Sequence, residues 1–258
     1  NISLPSNKTE QREFETLLAS RRTEVAAVII EPLVQAAGGM KFYDVDTLVA
    51  IRAACLRQNV LFIADEIAPG FGRTGSLFAC DTAGVIPDII CIGKALSGGT
   101  ISLAATVANK MVFDAFLAHD ENKAFMHGPT YMANPLACAA ANASLDLFED
   151  GERLRQVSAL ESKFSEALDR CRNIPDVADV RVKGAIGVVQ LSRPLHIQWL
   201  RDKFLAEGVW IRPFGDVVYL MPPFTLSDGE STKLCDAIVK VCLLYTSDAA
   251  DERSSVDL

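Results

Sequence analysis

Short apolar runs alternate with segments of helical periodicity over the first part of the chain. The runs are rich in β-branched residues, as is typical of strands buried on both faces, and they lie at Val25–Ile30, Val60–Ala64, Asp88–Ile92 and Ser102–Ala108. Between the first two runs, Asp46–Gln58 has apolar residues at helical spacing behind a capping Asp44 or Asp46. This order predicts a right-handed crossover and an α/β fold with a mostly parallel sheet.

A further helix is predicted at Asn134–Phe148. Asn134 is suited to cap it and Pro135 to occupy its first position. Its apolar positions predict a buried face made of Leu136, Ala139, Ala140, Ala143 and Leu147.

The pattern changes after Gly151, where the sequence predicts a smaller α+β unit. Its expected elements are a helix at 154–168, strands at Val177–Val182 and Ile186–Leu191, a helix at Ile197–Ala206, a hairpin of Val209–Arg212 with Val217–Leu220, and a closing helix at Ser227–Val241. Ser227 and Glu230 have the spacing of a capping box. We therefore divide the chain into part of a large domain, 1–150, and a small carboxyl-terminal domain, 151–246.

The two ends of the chain do not fit this organisation. The first methionine is Met40, and Asn1–Glu13 is polar and without a cap, so we expect that an amino-terminal portion of the large domain is missing. Residues 247–258 have no amphipathic period and resemble translated sequencing adapter. We interpret them as a non-native tail outside the fold.

Charge and composition argue against several classes of function. The chain has 25 Lys and Arg against 33 Asp and Glu, so a partner such as nucleic acid or an anionic membrane is not expected. No apolar run approaches the ~20 residues that span a bilayer. The seven cysteines include no C-x-x-C pair, which favours a reducing compartment, and we expect no metal site. We expect a cytoplasmic protein, with a mitochondrial location left open because a transit peptide would precede Asn1.

Charged residues follow two of the predicted strands. Asp65 and Glu66 end the run Val60–Ala64, where carboxylates suit a site, although an N-cap or a turn ion pair explains them equally well. Lys94 follows Asp88–Ile92 among glycines, where a lone lysine is usually a solvated loop residue. Parallel strands end at one edge of a sheet, so Asp65 and Lys94 could converge on one cleft. An amine beside a carboxylate suits pyridoxal-phosphate chemistry, and the P-loop and dinucleotide fingerprints are absent.

The stretch Phe62–Gly99 (FIADEIAPGFGRTG…PDIICIGKALSGG) resembles the signature of class III pyridoxal-phosphate-dependent aminotransferases of fold type I. The stretches IIEPLVQAAGGM, FMHGPTYMANPLACAAANASL, DVRVKGAIGVV and GVWIRPFGDVVYLMPP resemble the members of this family that act in biotin biosynthesis. The resemblance implies a homodimer that transfers an amino group from S-adenosylmethionine to 8-amino-7-oxononanoate, which gives 7,8-diaminononanoate. The alternatives are another class III ω-aminotransferase, of the ornithine, acetylornithine or 4-aminobutyrate type, or an inactive fragment. We expect the 258 residues alone not to turn over substrate.

The same resemblance implies a role for each of several residues around the cofactor. Lys94 would be the Schiff-base lysine, Asp65 would pair with the pyridine nitrogen, and Ile67 would pack on the ring. Pro129 and Thr130 would contact the cofactor phosphate of the neighbouring subunit.

Three further residues are implied on the substrate side. Gly128 would contact the substrate, and Arg212 would bind the carboxylate of the keto-amino acid, a bidentate contact for which arginine is suited. Arg73 would lie near the substrate end of the site. Without the resemblance, Arg212 would be interpreted as part of a surface ion pair, and Arg73 as a brace for the loop after Asp65.

Overall fold

The computed structural model describes residues 2–192 and 195–254, with 247–254 described as backbone alone. The chain divides into two compact units. The first unit comprises Asn1–Ala36, Lys41–Phe71 and Ser76–Gly151, and the second comprises Ala37–Met40, Gly72–Gly75 and Glu152–Leu258.

The first unit contains a four-stranded sheet in the order β1-β4-β5-β6. Its strands are β1 (Ala27–Ile30), β4 (Leu61–Asp65), β5 (Ile89–Ile92) and β6 (Ala105–Ala108), and the short strands β2 (Val34–Gln35) and β3 (Lys41–Phe42) pair separately. The pairs β1–β4 and β4–β5 are parallel, whereas β6 adds to β5 in the antiparallel direction. The four predicted runs thus form one mostly parallel sheet, and the α/β prediction is confirmed.

Helices cover part of this sheet, and they are α1 (Lys8–Ser20), α2 (Val45–Gln58), α3 (Ala79–Ala83), α4 (Lys110–Asp114) and α5 (Pro135–Asp146), with 3₁₀ helices at Lys94–Ser97 and Glu121–Lys123. Asp44 caps α2 by accepting a hydrogen bond from the Thr47 backbone N–H. The prediction that Asn1–Glu13 is uncapped is wrong, because the Asn7 side chain caps α1 through the backbone N–H groups of Thr9 and Glu10.

Residues from α1, α2 and β4 form the core of the first unit. Phe14 and Leu18 of α1 are buried in one cluster with Leu48, Ile51 and Phe62. At the opposite end of β5 from Lys94, Asp88 is held by three polar groups. Its carboxylate accepts hydrogen bonds from Arg52 Nη1 at 2.8 Å, from the Phe62 backbone N–H at 2.9 Å and from Asn109 Nδ2 at 3.0 Å.

Helix α5 begins as predicted but buries a different face. Asn134 caps it by accepting from the backbone N–H groups of Leu136 and Ala137, and Pro135 is its first residue. The buried residues are Ala137, Ala141 and Ser144. Leu136 and Leu147, which were predicted to be buried, are exposed. The small residues on the buried face allow α5 to pack closely on the Lys94–Ser97 turn, where Ser144 Oγ donates to the Ala95 carbonyl at 2.9 Å.

The second unit is an α+β unit with an antiparallel sheet in the order β7-β8-β9. Its elements are α6 (Glu152–Asp169), a 3₁₀ helix at Arg170–Asn173, β7 (Val177–Lys183), β8 (Ile186–Leu191), α7 (Ile197–Ala206), β9 (Val217–Leu220) and α8 (Asp228–Ser254). The helices and the sheet share one apolar core that includes Phe164, Leu168, Phe204 and Ile238. The predicted capping box is confirmed, since Ser227 and Glu230 exchange hydrogen bonds between side chain and backbone.

Two predictions for this unit are wrong. Val209–Arg212 is not a strand, because Pro213 has no N–H to donate to a ladder with β9. Strand β9 pairs with β8 instead. Only the turn of the predicted hairpin forms, through Phe214 and Val217. The last helix does not end at Val241 but continues to Ser254. Of the expected non-native tail, 255–258 lie outside the described residues, and its origin stays a prediction.

Candidate active site

The ends of β4 and β5 bring Asp65 and Lys94 to the same edge of the sheet. Asp65 is the last residue of β4 and lies opposite Cys91 of β5 in the parallel register. Lys94 follows shortly after Ile92, the last residue of β5. Because ligands of parallel sheets bind at the carboxyl ends of strands, this edge is the natural location of a site in the first unit.

Lys94 is held in an uncommon backbone conformation. Its φ is 48°, in the left-handed region that non-glycine residues rarely adopt. The residue opens a 3₁₀ turn that ends at Gly98, and the Leu96 N–H donates to the Gly93 carbonyl at 3.1 Å. The side chain is exposed, and among the described residues it forms no ion pair. Backbone strain of this kind is concentrated at functional sites, so the turn presents the amine at some conformational cost.

A cavity of about 590 Å³ lies beside this lysine. Its lining consists of Lys94, Ser97 and the segment 99–104. The cavity therefore gives the Lys94 amine open space on the side of β6.

Asp65 and Ile67 lie on the turn that leaves β4. Asp65 Oδ1 accepts a hydrogen bond from the Ile67 backbone N–H at 3.1 Å, which orients the carboxylate. Ile67 also approaches the residue before the lysine, because a Cβ added at Gly93 would lie 3.5 Å from Ile67 Cγ2. The structure thus brings Ile67 to the backbone that precedes Lys94.

Glu66 differs from its neighbour Asp65 in environment. It is fully buried, and its carboxylate accepts from the N–H groups of Ala79 at 3.0 Å and of Cys80 at 2.7 Å, at the start of α3. Burial raises the pKa of the Glu66 carboxyl. Glu66 is not the N-cap residue of α3, which is Phe78, but its carboxylate satisfies the first two N–H groups of that helix. Asp65 keeps a partly exposed carboxylate. The sequence signal for this difference is the alternation of side chains along a strand.

The predicted phosphate loop lies on the surface of the first unit. Gly128, Pro129 and Thr130 are all exposed, and the Met132 N–H donates to the Pro129 carbonyl at 2.9 Å. The loop ends at Ala133, which has a φ of 53°, just before the cap of α5. None of the three residues lines the cavity beside Lys94, so the structure of this chain does not join them to the lysine.

The two predicted arginines belong to the second unit. Arg73 Nη1 donates to the carbonyl oxygens of Ala185 at 3.1 Å and Pro222 at 2.8 Å, and its guanidinium lies 4.5 Å from the centre of the Phe224 ring. Burial lowers the pKa of Arg73 to about 10. These contacts correspond to a bracing role. Arg212 is exposed, and no ion pair among the described residues includes it.

Two kinds of feature are absent from the part of the chain that the structure describes. In 2–192 and 195–254, no cluster of three His, Cys, Asp or Glu residues is placed to hold a metal ion. No helix among these residues has the length and apolar character that crossing a membrane requires.

The mostly parallel sheet brings a lysine and an aspartate to its carboxyl edge. The family described as "Aminotransferase class-III" matches residues 3–242 of the sequence. The chain belongs to the class-III aminotransferase family.

Individual relatives agree with this assignment. The chain is 45% identical to the adenosylmethionine-8-amino-7-oxononanoate aminotransferase of Corynebacterium glutamicum over 214 residues, which cover 83% of this chain and 51% of that protein. A crystal structure of the enzyme of that name from Methanocaldococcus jannaschii matches with a TM-score of 0.85 and 32% identity, covering 92% of this chain and 58% of that one. An amine transaminase from an uncultivated Pseudomonas species, solved in the PLP-bound form, matches with a TM-score of 0.84 and 32% identity, covering 92% and 56%.

These matches confirm the fold-type prediction. The chain spans about half the length of the curated relatives it matches.

Proposed function

We propose that this chain carries the lysine and aspartate of a pyridoxal-phosphate-dependent aminotransferase. The supporting observation is the position of Asp65 and Lys94 at the same edge of β4 and β5, with the lysine backbone held at a φ of 48°. The names of the relatives point to the same class of enzyme. On this proposal, 1–150 belong to the cofactor-binding domain and 151–246 form the smaller domain.

When bound, pyridoxal phosphate supplies an aldehyde that reacts with amines and a ring that accepts electrons. Lys94 Nζ would hold the cofactor and then carry a proton at the substrate carbon. The Asp65 carboxylate would keep a proton on the ring nitrogen, since an adjacent negative charge favours the protonated form. Ile67, which packs next to Gly93, would cover one face of the ring and exclude water from it.

In a homodimer, the loop Gly128–Thr130 of this chain is assigned to the active site of the neighbouring subunit. Pro129 and Thr130, which lie close to the amino-terminal end of α5, would contact the phosphate of the cofactor in that site, and Gly128 would contact substrate. Large apolar side chains beside this loop are exposed, including Phe125, Met126 and Tyr131. Exposed apolar patches of this kind mark interaction surfaces, which supports the dimer.

Arg212 is assigned to the carboxylate of 8-amino-7-oxononanoate, and S-adenosylmethionine is the proposed amino donor. The exposed Arg212 guanidinium has no partner in an ion pair among the described residues, so it is available for a bidentate contact. Arg73 stays assigned to the substrate end of the site, where its carbonyl contacts would also brace the loop after β4. We further propose a cytoplasmic location.

A second candidate is a class III aminotransferase with another amine substrate. The fold does not separate the two, because the amine transaminase and the biotin-pathway enzyme match this chain with nearly equal TM-scores. Exchanging donors and acceptors in an absorbance assay of the cofactor distinguishes them. Turnover with 2-oxoglutarate in preference to 8-amino-7-oxononanoate would favour the second candidate.

The direct test of the proposal is Lys94→Ala in the complete protein. We expect the visible absorbance of lysine-bound cofactor and the formation of 7,8-diaminononanoate both to disappear, because Lys94 is the one lysine among the described residues that line the cavity. Lys110→Ala, which removes an exposed lysine paired with Asp114 on α4, is the matched control and should keep both. Continued product formation by Lys94→Ala would refute the assignment.

A further inference from the structure

Glu66 is a buried carboxylate without a cationic partner among the described residues. Asp88, the other buried carboxylate of the first unit, is neutralised by Arg52. Burying a charge is unfavourable unless hydrogen bonds compensate it, and for Glu66 the compensation comes from the N–H groups of Ala79 and Cys80. A residue retained in such an environment needs a structural reason.

The backbone of Glu66 fixes two further segments. Its N–H donates to the Cys91 carbonyl at 2.9 Å, and its carbonyl accepts from the Gly70 N–H at 3.0 Å. The turn from 66 to 70 is closed so tightly that a Cβ added at Gly70 would lie 2.6 Å from the Glu66 oxygen. One residue therefore ties the end of β4 to the end of β5, to its own turn and to the start of α3.

These contacts constrain the two residues proposed to hold the cofactor. Successive side chains of an extended strand point to opposite sides, so anchoring the Glu66 carboxylate on α3 directs Asp65 the other way. The hydrogen bond to Cys91 holds the segment that continues to Lys94. We infer that Glu66 is a positioning residue that sets the direction of Asp65 and its separation from Lys94. The contacts of Glu66 do not depend on the proposed function. The inference rests on the proposed function only where it says that this geometry serves to hold the cofactor.

The test compares Glu66→Gln with Asp44→Asn, which changes a carboxylate that caps α2 away from this edge. Glutamine keeps the length of the side chain, but its NH₂ group faces a backbone N–H, so one buried donor at Ala79 or Cys80 loses its partner. Glu66→Asp, which keeps the charge on a shorter side chain, is a second and milder variant.

Two measurements are made on the cofactor-free chain, and both are needed. Amide hydrogen exchange should accelerate about tenfold at Glu66, whose N–H bonds Cys91, as well as at Ala79 and Cys80. The ¹³C chemical shift of the Asp65 carboxyl, measured at one fixed pH, should change in Glu66→Gln, change less in Glu66→Asp, and stay the same in Asp44→Asn. Faster exchange confined to Ala79 and Cys80, with an unchanged Asp65 chemical shift, would show that Glu66 only binds the start of α3 and would overturn the inference.

The cofactor provides a third readout that separates this inference from the proposed function. With pyridoxal phosphate bound to the complete protein, Glu66→Gln should shift the pH midpoint of the visible absorbance and lower kcat more than KM. A complete parent protein that gives no lysine-bound absorbance would refute the proposed function while leaving the exchange and chemical-shift results to decide on Glu66. A bound cofactor with an unshifted midpoint in Glu66→Gln would count against the inference alone.

Discussion

The second unit and the 101–147 segment of the first unit differ in where their large apolar side chains lie. In the second unit, Phe164 and Ile238 are completely buried in one core. In the 101–147 segment, Phe113 is 59% exposed and Met126 is 91% exposed. The apolar residues of the second unit therefore contribute to the stability of this chain by itself, whereas those of the segment are available for contacts with other surfaces.

The strands of the two regions show the cause of the difference. Strand β8 pairs with a strand on each side, and five of its six residues are buried. Strand β6 pairs only with β5, and all four of its residues are exposed. A strand with one neighbour and an uncovered face gives its side chains little to pack against, so apolar residues there add little to folding.

Phe164→Ala should have the largest effect on stability. The ring is completely buried between α6 and the sheet of the second unit, so its removal leaves a cavity and should cost about 3–5 kcal/mol of unfolding free energy. The matched variant Phe113→Ala removes a ring that is mostly exposed and should change the unfolding free energy by less than about 0.5 kcal/mol.

Urea unfolding followed by circular dichroism and by tryptophan fluorescence measures both variants. Both tryptophans of the chain, Trp199 and Trp210, belong to the second unit, so the fluorescence reports on the unfolding of that unit. Similar losses in the two variants would show that the 101–147 segment is packed as tightly as the second unit, and the comparison would fail.

Gly184→Ala should be the next most damaging change. Gly184 has a φ of 54°, and a Cβ there would lie 2.5 Å from the Arg73 carbonyl oxygen and 2.6 Å from the Gly75 nitrogen. Both atoms are backbone and cannot move aside cheaply, so we expect a loss of about 3 kcal/mol. The control Gly229→Ala, in α8 with nothing within 4 Å, should stabilise the helix by up to about 1 kcal/mol. A tolerated Gly184→Ala would mean that this turn is loosely packed.

Local sequence signals predicted the elements whose packing is completed within this chain. Helix α7 has the predicted bounds, and the Ser227–Glu230 capping box and the Asn134 cap of α5 form as expected. The buried face of α5 could not be predicted, because periodicity identifies apolar positions and not the surface they meet. Leu136 is large and apolar, yet it is exposed. Ala141 faces inward because the neighbouring turn approaches too closely for a larger residue.

At the site, the spacing of strands was enough to place Asp65 and Lys94 at one edge. Alternation along the strand indicates that Asp65 and Glu66 face different sides, but it does not indicate which of the two is buried. That depends on the partner of Glu66, which is the start of α3, a helix of five residues with no clear pattern. The left-handed backbone of Lys94 was also missed, since such a φ is imposed by the packing of the turn and is not preferred by lysine.

The cysteines of the two units differ in burial and therefore in their response to pH. Cys171 and Cys235 of the second unit are completely buried, and burial raises the pKa of each thiol to about 11. Cys91 and Cys138 of the first unit are only partly buried. At pH 8 a thiol reagent should therefore modify Cys91 and Cys138 in the folded protein, whereas Cys171 and Cys235 should react only as the second unit unfolds.

The raised pKa values also give the stability of the second unit a pH dependence of known sign. Between pH 9 and pH 11 the unfolded chain releases the protons of Cys171 and Cys235, while the folded unit keeps them. The stability that depends on the protonated thiols is thus intact below pH 9 and is lost as the pH rises through 11. Fluorescence-detected urea unfolding across this range should show a falling midpoint. The double variant Cys171→Ala with Cys235→Ala should make the fall smaller without removing it, because Cys242 of the same unit is also completely buried and burial raises its pKa. Rapid labelling of Cys171 at pH 8, or a midpoint independent of pH in the parent chain, would show that the core of the second unit opens as readily as the 101–147 segment.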